Sequence, residues 1–234
     1  EFDCEAVVGI WPANRQGNTI ELYADPESKQ CIGKYHALRQ QTQKAPGLPN
    51  ISLSDYIAPK ESGVQDYIGG FVVTAGPQAD VLAEKYKADH DDYNAIMAKA
   101  LADRLAEAMA EYMHQQVRVS LWAYAPNEAL ENPDLIAEKY RGIRPAPGYP
   151  ACPSHLEKPL LFELLNAEKE IGVSLTESLA MSPAASVSGW YFAHPQAKYF
   201  GLGKVDKDQV QWYGEQMGLS LEEAERALSP QLNY

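Results

Sequence analysis

The chain has 234 residues, 45% hydrophobic and 22% charged, which suits one large globular domain or two small ones and leaves enough length to bury a core. Its formal net charge is −12, with 20 Lys and Arg against 32 Asp and Glu, a balance opposite to that of a nucleic-acid binder or a ligand of anionic membranes. Three widely spaced cysteines without a Cys-x-x-Cys pair argue against a disulfide framework or a zinc site, and point to reduced thiols in the cytoplasm.

Apolar runs at residues 7–11 and 19–23, separated by PANRQGN, read as a β-hairpin. A turn at residues 25–28 and a third strand at 31–37 extend it to a meander. Residues 40–66 read as loop with one helical turn near 54–57, and 67–74 as a strand. From 78 to 116 the pattern is helical. Tyr93, Met97, Leu101, Leu105 and Met109 recur every four residues and continue to Met113 or Tyr112, a stripe expected to face the core. Aspartates 89, 91 and 92 acidify the start of its second helix, as the helix dipole favours. Residues 117–124 read as a strand and 125–141 as loop with a short helix.

Further on, 159–171 reads as a helix with Leu160, Leu161, Leu164 and Leu165 on one side and Gly172 as its stop. Residues 186–193 and 198–205 read as a second hairpin. Two helices close the chain, one at 206–217 ended by Gly218, one at 220–228 opened by a Ser220–Glu223 capping box. Strands in hairpins with helices in runs between them indicate an α+β fold with antiparallel sheet.

No Walker loop, no GxGxxG after a first strand, no HExxH and no GxSxG is present, and nothing supplies a nucleophile with its base. Gly201-Leu202-Gly203 reads as a close-packing site. Cys152 and His155 form only a weak metal pair. Residues 144–155, RPAPGYPACPSH, stand apart: four of the twelve are proline. Proline fixes φ and removes N–H donors, so the segment is stiff and extended, and the carbonyls of residues 144–150 are expected to be left unpaired by their own segment. Arg144 suits a carboxylate, Gly148 allows close approach to the backbone, and Tyr149 offers a ring face. The plain alternative is a proline-rich connector beside core aromatics.

RPAPGYPACPSH, followed by LTESLAMSPAASVSGWYFAHPQAKYF, resembles the C-terminal reactivation domains of cobalamin-dependent methionine synthases. HALRQQT, SDYIAPKESGVQDYIGGFVVTAG, HDDYNAIMAKALADRLAEAMAEY and YAPNE agree as well. The resemblance implies an α+β fold: a single C-shaped domain with helices around a bent antiparallel β-sheet. The domain would span residues 1–234 and lack the family domain's N-terminal segment, with its ligand-contacting acidic residue. It also implies a site for S-adenosylmethionine built on Arg-x-x-x-Gly-Tyr, here Arg144, Gly148 and Tyr149, with Ala146 between. Tyr199 and its neighbour Phe200 match a further contact position, and Glu107 and Glu138 match cleft acids. Cobalamin would be bound by another domain of the same enzyme, and zinc only elsewhere in it. Flavodoxin or a similar reductase would donate an electron, and S-adenosylmethionine a methyl group, to restore methylcobalamin from cob(II)alamin. A stand-alone S-adenosylmethionine-binding docking or regulatory module is the second reading.

Overall fold

The first strand runs further than its sequence suggests. In the computed structural model, which describes residues 2–27 and 30–234, β1 covers Glu5–Gln16 and passes straight through Pro12. Its register with β2 (Thr19–Tyr23) begins at Ala13, so the missing proline N–H costs no bond to that neighbour. The hairpin turn is therefore the pair Gly17-Asn18, with Gly17 at φ +61°, rather than the longer PANRQGN. β3 (Cys31–His36) pairs antiparallel with β2 and completes the expected meander. In the turn before it, the Asp25 carboxylate accepts the Glu27 N–H at 2.9 Å; Ser28, the last residue of the expected turn, lies outside the described residues.

β4 (Asp66–Thr74) and β7 (Ser186–Tyr191) complete a five-stranded antiparallel sheet in the order β3-β2-β1-β4-β7. A two-stranded ribbon joins β5 (Ser174–Leu175) and β6 (Met181–Ser182). The α+β class expected from the sequence is thus the observed one.

The chain forms two compact units. The first comprises Glu1–Gly9, Gly70–Tyr140 and Leu161–Gly189; the second comprises Ile10–Gly69, Arg141–Leu160 and Trp190–Tyr234. The first unit holds α1 (Gln78–Ala88) and α2 (Asp92–Gln116). Asp91 caps α2 by accepting the Asn94 N–H at 3.0 Å. The face α2 buries is not the expected one. Ala95, Ala98, Ala102, Ala106 and Ala110 are inside, whereas Tyr93 is 72% and Leu101 52% exposed. Ala102 and Ala106 pack with Ala75, Ala79 and Ala185. Small side chains let backbones approach closely, and the larger residues are left on the outside.

The strand expected at 117–124 is absent. α2 instead continues into a π-turn at Val117–Leu121, with the Trp122 N–H reaching the Val117 carbonyl at 3.0 Å. Arg118 explains the continuation: it is fully buried, bonds both oxygens of Glu128 at 2.8–2.9 Å through Nε, and lies 4.4 Å from the Tyr140 ring centre. Context here overrides the strand preference of two valines. α3 (Asn132–Ile136) is the short helix expected in the next loop. The helix expected at 159–171 is two helices, α4 (Lys158–Leu165) and α5 (Ala167–Ile171), because Asn166 takes a left-handed conformation between them.

In the second unit the expected hairpin partner at 198–205 is not a strand. Its amides find single partners instead: Leu202 on the Pro150 carbonyl at 2.8 Å and Val205 on that of Gln231 at 2.8 Å. Leu202 is buried with Leu38, Val205, Val210, Tyr213, Ala224 and Leu228, so Gly201-Leu202-Gly203 is a packing site. α6 (Lys207–Met217) ends at Gly218 in the left-handed region, as expected. α7 (Leu221–Ala227) carries the full Ser220–Glu223 capping box.

Candidate functional site

The proline segment begins as an added strand on the edge of β7. Ile143 exchanges two 3.0 Å hydrogen bonds with Phe192, and the Pro145 carbonyl accepts the Trp190 N–H at 3.0 Å. Pro145 has no N–H to return, so the ladder ends there. In an extended chain, alternate residues share a face. Pro145 and Pro147 are buried; Arg144 and Ala146 are partly exposed, and Gly148 and Tyr149 exposed. The Arg-x-x-x-Gly spacing therefore places Arg144, Ala146 and Gly148 on one outward side.

After Pro147 the chain folds back on itself. The Tyr149 N–H donates to the Ala146 carbonyl at 3.1 Å, the Gly148 N–H to the Cys152 carbonyl at 2.8 Å, and the Cys152 N–H to the Tyr149 carbonyl at 3.0 Å. Gly148 sits at φ +96°, and a Cβ there would stand 2.2 Å from Cε1 of His155. Both its dihedral and its neighbour demand glycine. Tyr199 stands at the head of the segment, its hydroxyl accepting the Arg144 N–H at 3.0 Å. Phe200 is half-buried beside it in sequence. A concavity of about 370 Å³ is lined by Gly148, Tyr149, Pro150, Gly201, Leu202 and Lys204.

Most carbonyls between 145 and 150 are paired, and two of them, Ala146 and Tyr149, from within the segment itself, contrary to the expectation. Those of Pro145, Ala146, Tyr149 and Pro150 accept bonds from Trp190, Tyr149, Cys152 and Leu202. Among the described residues, only the carbonyls of Pro147 and Gly148 and the N–H of Ala146 stand without protein partners between 145 and 150. Two of the four donors, Trp190 and Leu202, come from outside the segment and two, Tyr149 and Cys152, from its own turn, so proline content alone could not disclose them.

Below the segment lies a polar cluster that sequence reasoning missed. Glu157 is buried; its Oε1 accepts the Tyr213 hydroxyl at 3.2 Å and the His36 N–H at 3.4 Å. The Tyr213 hydroxyl is also 2.9 Å from Ser154 Oγ. Burial pushes the Glu157 carboxyl up to about 8, against the opposing pull of those hydrogen bonds. Burial likewise pushes the Cys152 thiol up to about 12. The pairing of Cys152 with His155 gave the only sequence signal here. It concerns packing rather than a metal: the thiol bonds the Ala146 carbonyl, and the imidazole lies against Gly148.

Glu107 and Glu138 belong to the first unit, not to the unit that carries the segment. Glu107 is exposed on α2 and pairs with Arg104 at 2.7 Å. Glu138 is exposed just after α3, in the left-handed region at φ +53°.

A family model described as the activation domain of vitamin B12 dependent methionine synthase matches residues 1–218. The chain belongs to that family. A solved structure, the MetH reactivation domain bound to AdoHcy, matches with a TM-score of 0.97 at 55% sequence identity. The match covers 100% of this chain and 71% of that one. An activation domain is thus what the five-stranded sheet and its helices build, and the proline segment is an integral part of its second unit rather than a linker.

Proposed function

We propose that this activation domain binds S-adenosylmethionine on the outward side of residues 144–149 and presents its methyl group to cobalamin held by another domain of the same enzyme. One observation carries the reading: Arg144, Ala146 and Gly148 share a face beside Tyr149 and Tyr199, in a fold whose solved relative holds AdoHcy. AdoHcy is what remains of S-adenosylmethionine once the methyl group has left.

The residues fit such a ligand. The Arg144 guanidinium suits the carboxylate, as a bidentate partner. The unpaired carbonyls of Pro147 and Gly148 suit an ammonium or an amino N–H. Tyr149, with its exposed ring, suits contact with the sulfonium cation or the adenine. Phe200 adds apolar surface next to Tyr199. Because the segment is already fixed by the bonds to Trp190, Leu202 and Cys152, little ordering cost remains to be met on binding.

Cobalamin supplies the nucleophile when reduced, and the sulfonium is already a good leaving group. The chain's own task is to orient the methyl group, not to move protons. The electron comes from flavodoxin or a similar reductase, and the work is done in the cytoplasm. Alone, the chain releases no S-adenosylhomocysteine from S-adenosylmethionine, which chromatography of the incubated mixture checks.

Calorimetric titration with S-adenosylmethionine tests the reading. A lost charge-assisted hydrogen bond weakens binding roughly 10- to 150-fold, which is the effect expected of Arg144→Ala at an unchanged ligand-free melting temperature. Equal affinity of variant and wild type would sink it. The same titration on Glu107→Gln and Glu138→Gln decides whether either acid contributes.

A further inference from the structure

A buried cysteine lies beneath the ligand face. Cys152 touches the segment through three of its polar groups. Its Sγ lies 3.0 Å from the Ala146 carbonyl, its carbonyl accepts the Gly148 N–H at 2.8 Å, and its N–H donates to the Tyr149 carbonyl at 3.0 Å. One buried residue therefore holds three of the six positions from Arg144 to Tyr149. We propose that Cys152 is a positioning residue of the binding site, its thiol fixing the Ala146 carbonyl in the geometry that receives S-adenosylmethionine. The proposal rests on the binding function assigned to that face.

The chemistry of the thiol supports a donor rather than a reactive group. With burial pushing its pKa up to about 12, the sulfur stays S–H at neutral pH and is no nucleophile. As an S–H it donates to the Ala146 carbonyl. Tyr35, 1% exposed, interacts with the same thiol and partly offsets the effect of its burial.

That carbonyl also accepts the Tyr149 N–H, so both of its lone pairs are used. It offers the ligand nothing itself. Its service is to hold the chain so that the Ala146 N–H and the Pro147 and Gly148 carbonyls remain the unpaired groups. Ser154 and Glu157, anchored by Tyr213, fix the chain on the far side of Cys152. A residue with only a packing role would need no such donor.

Three variants test this: Cys152→Ala removes the donor, Cys152→Ser keeps a shorter one, and Tyr35→Phe removes the hydroxyl behind it. Two readouts are taken, calorimetric affinity for S-adenosylhomocysteine and, without ligand, amide hydrogen exchange of Gly148 and Tyr149. Cys152→Ala is expected to bind roughly 5- to 30-fold more weakly and to exchange both amides faster, with Cys152→Ser returning most of each effect. Tyr35→Phe is expected to follow Cys152→Ala to a smaller extent, and provides the test should the alanine variant not fold. Wild-type affinity and unchanged exchange in the folded variants overturn the proposal, as does a fall in melting temperature without change in either readout. If the wild-type chain itself binds no S-adenosylhomocysteine, the binding function fails, while the exchange measurement still decides what Cys152 holds.

Discussion

α2 and the proline segment both bury their side chains on a strict period, but they choose opposite kinds of residue. α2 turns alanines inward and leaves Tyr93, Met97, Leu101 and Leu105 outside. The segment turns Pro145 and Pro147 inward and leaves arginine, glycine and tyrosine outside. In the segment the inward residues are the ones hydrophobicity would pick. In α2 two apolar faces compete, and the one with the smaller side chains wins because it lets α1 and α2 come close. Periodicity tells which residues share a face. The space available between backbones decides which face is buried.

The largest expected effect lies beneath the segment, where the second unit buries an acid. The folded value of Glu157 is about 8, above its ordinary 4.5. The sign follows from proton binding: the folded state keeps a proton that the unfolded state loses from about pH 4.5 upward. Stability linked to Glu157 is therefore complete below pH 4.5 and lost as pH rises to about 8. Glu157→Gln, which mimics the neutral acid, should match wild type near pH 5 and exceed it near pH 8 by on the order of 3 kcal/mol. Denaturant melts across that window give the difference directly. A difference that does not grow with pH would show that the acid is solvated and not part of a closed cluster.

On the α2 side the sharpest test is an enlargement. Ala106 is 1% exposed and packs against other alanines. Ala106→Leu adds three carbons where the helices approach, at a cost of about 1–3 kcal/mol. At roughly 2–4 °C per kcal/mol for a chain of this size, the melting temperature should fall by several degrees. An unchanged melting temperature would mean that the alanine face has room, and the comparison between the two regions would lose its basis.

How much could be seen beforehand follows the range of each interaction. The meander, the acidic start of α2, the Ser220–Glu223 box and the glycine stops at 172 and 218 are local, and the sequence shows them. The break at Asn166 and the π-turn after α2 are not local signals; the second depends on Arg118 meeting Glu128 and Tyr140. The same division holds in the site. The shared face of Arg144, Ala146 and Gly148 follows from spacing. The pairing of the carbonyls does not, because Trp190 and Leu202 arrive from far along the chain. Nor does the cluster below, where Glu157 meets His36 and Tyr213.

The smallest expected effect is the control on the outer face of α2. Leu105 follows Leu101 by one turn and is 39% exposed, one position before the fully packed Ala106. A partly exposed side chain that touches little loses little on truncation, and surface substitutions usually stay within about 0.5 kcal/mol. Leucine and alanine also differ little in helix preference, so backbone propensity does not confuse the result. Leu105→Ala should therefore melt within about 2 °C of wild type, at least as far from Ala106→Leu as measurement allows. The pair reverses the usual rule, since enlarging a small residue hurts and deleting a large one does not. A loss of several degrees in Leu105→Ala would mean that the outer stripe is covered in solution. A melting temperature that also depends on protein concentration would make a second copy of the chain the cover.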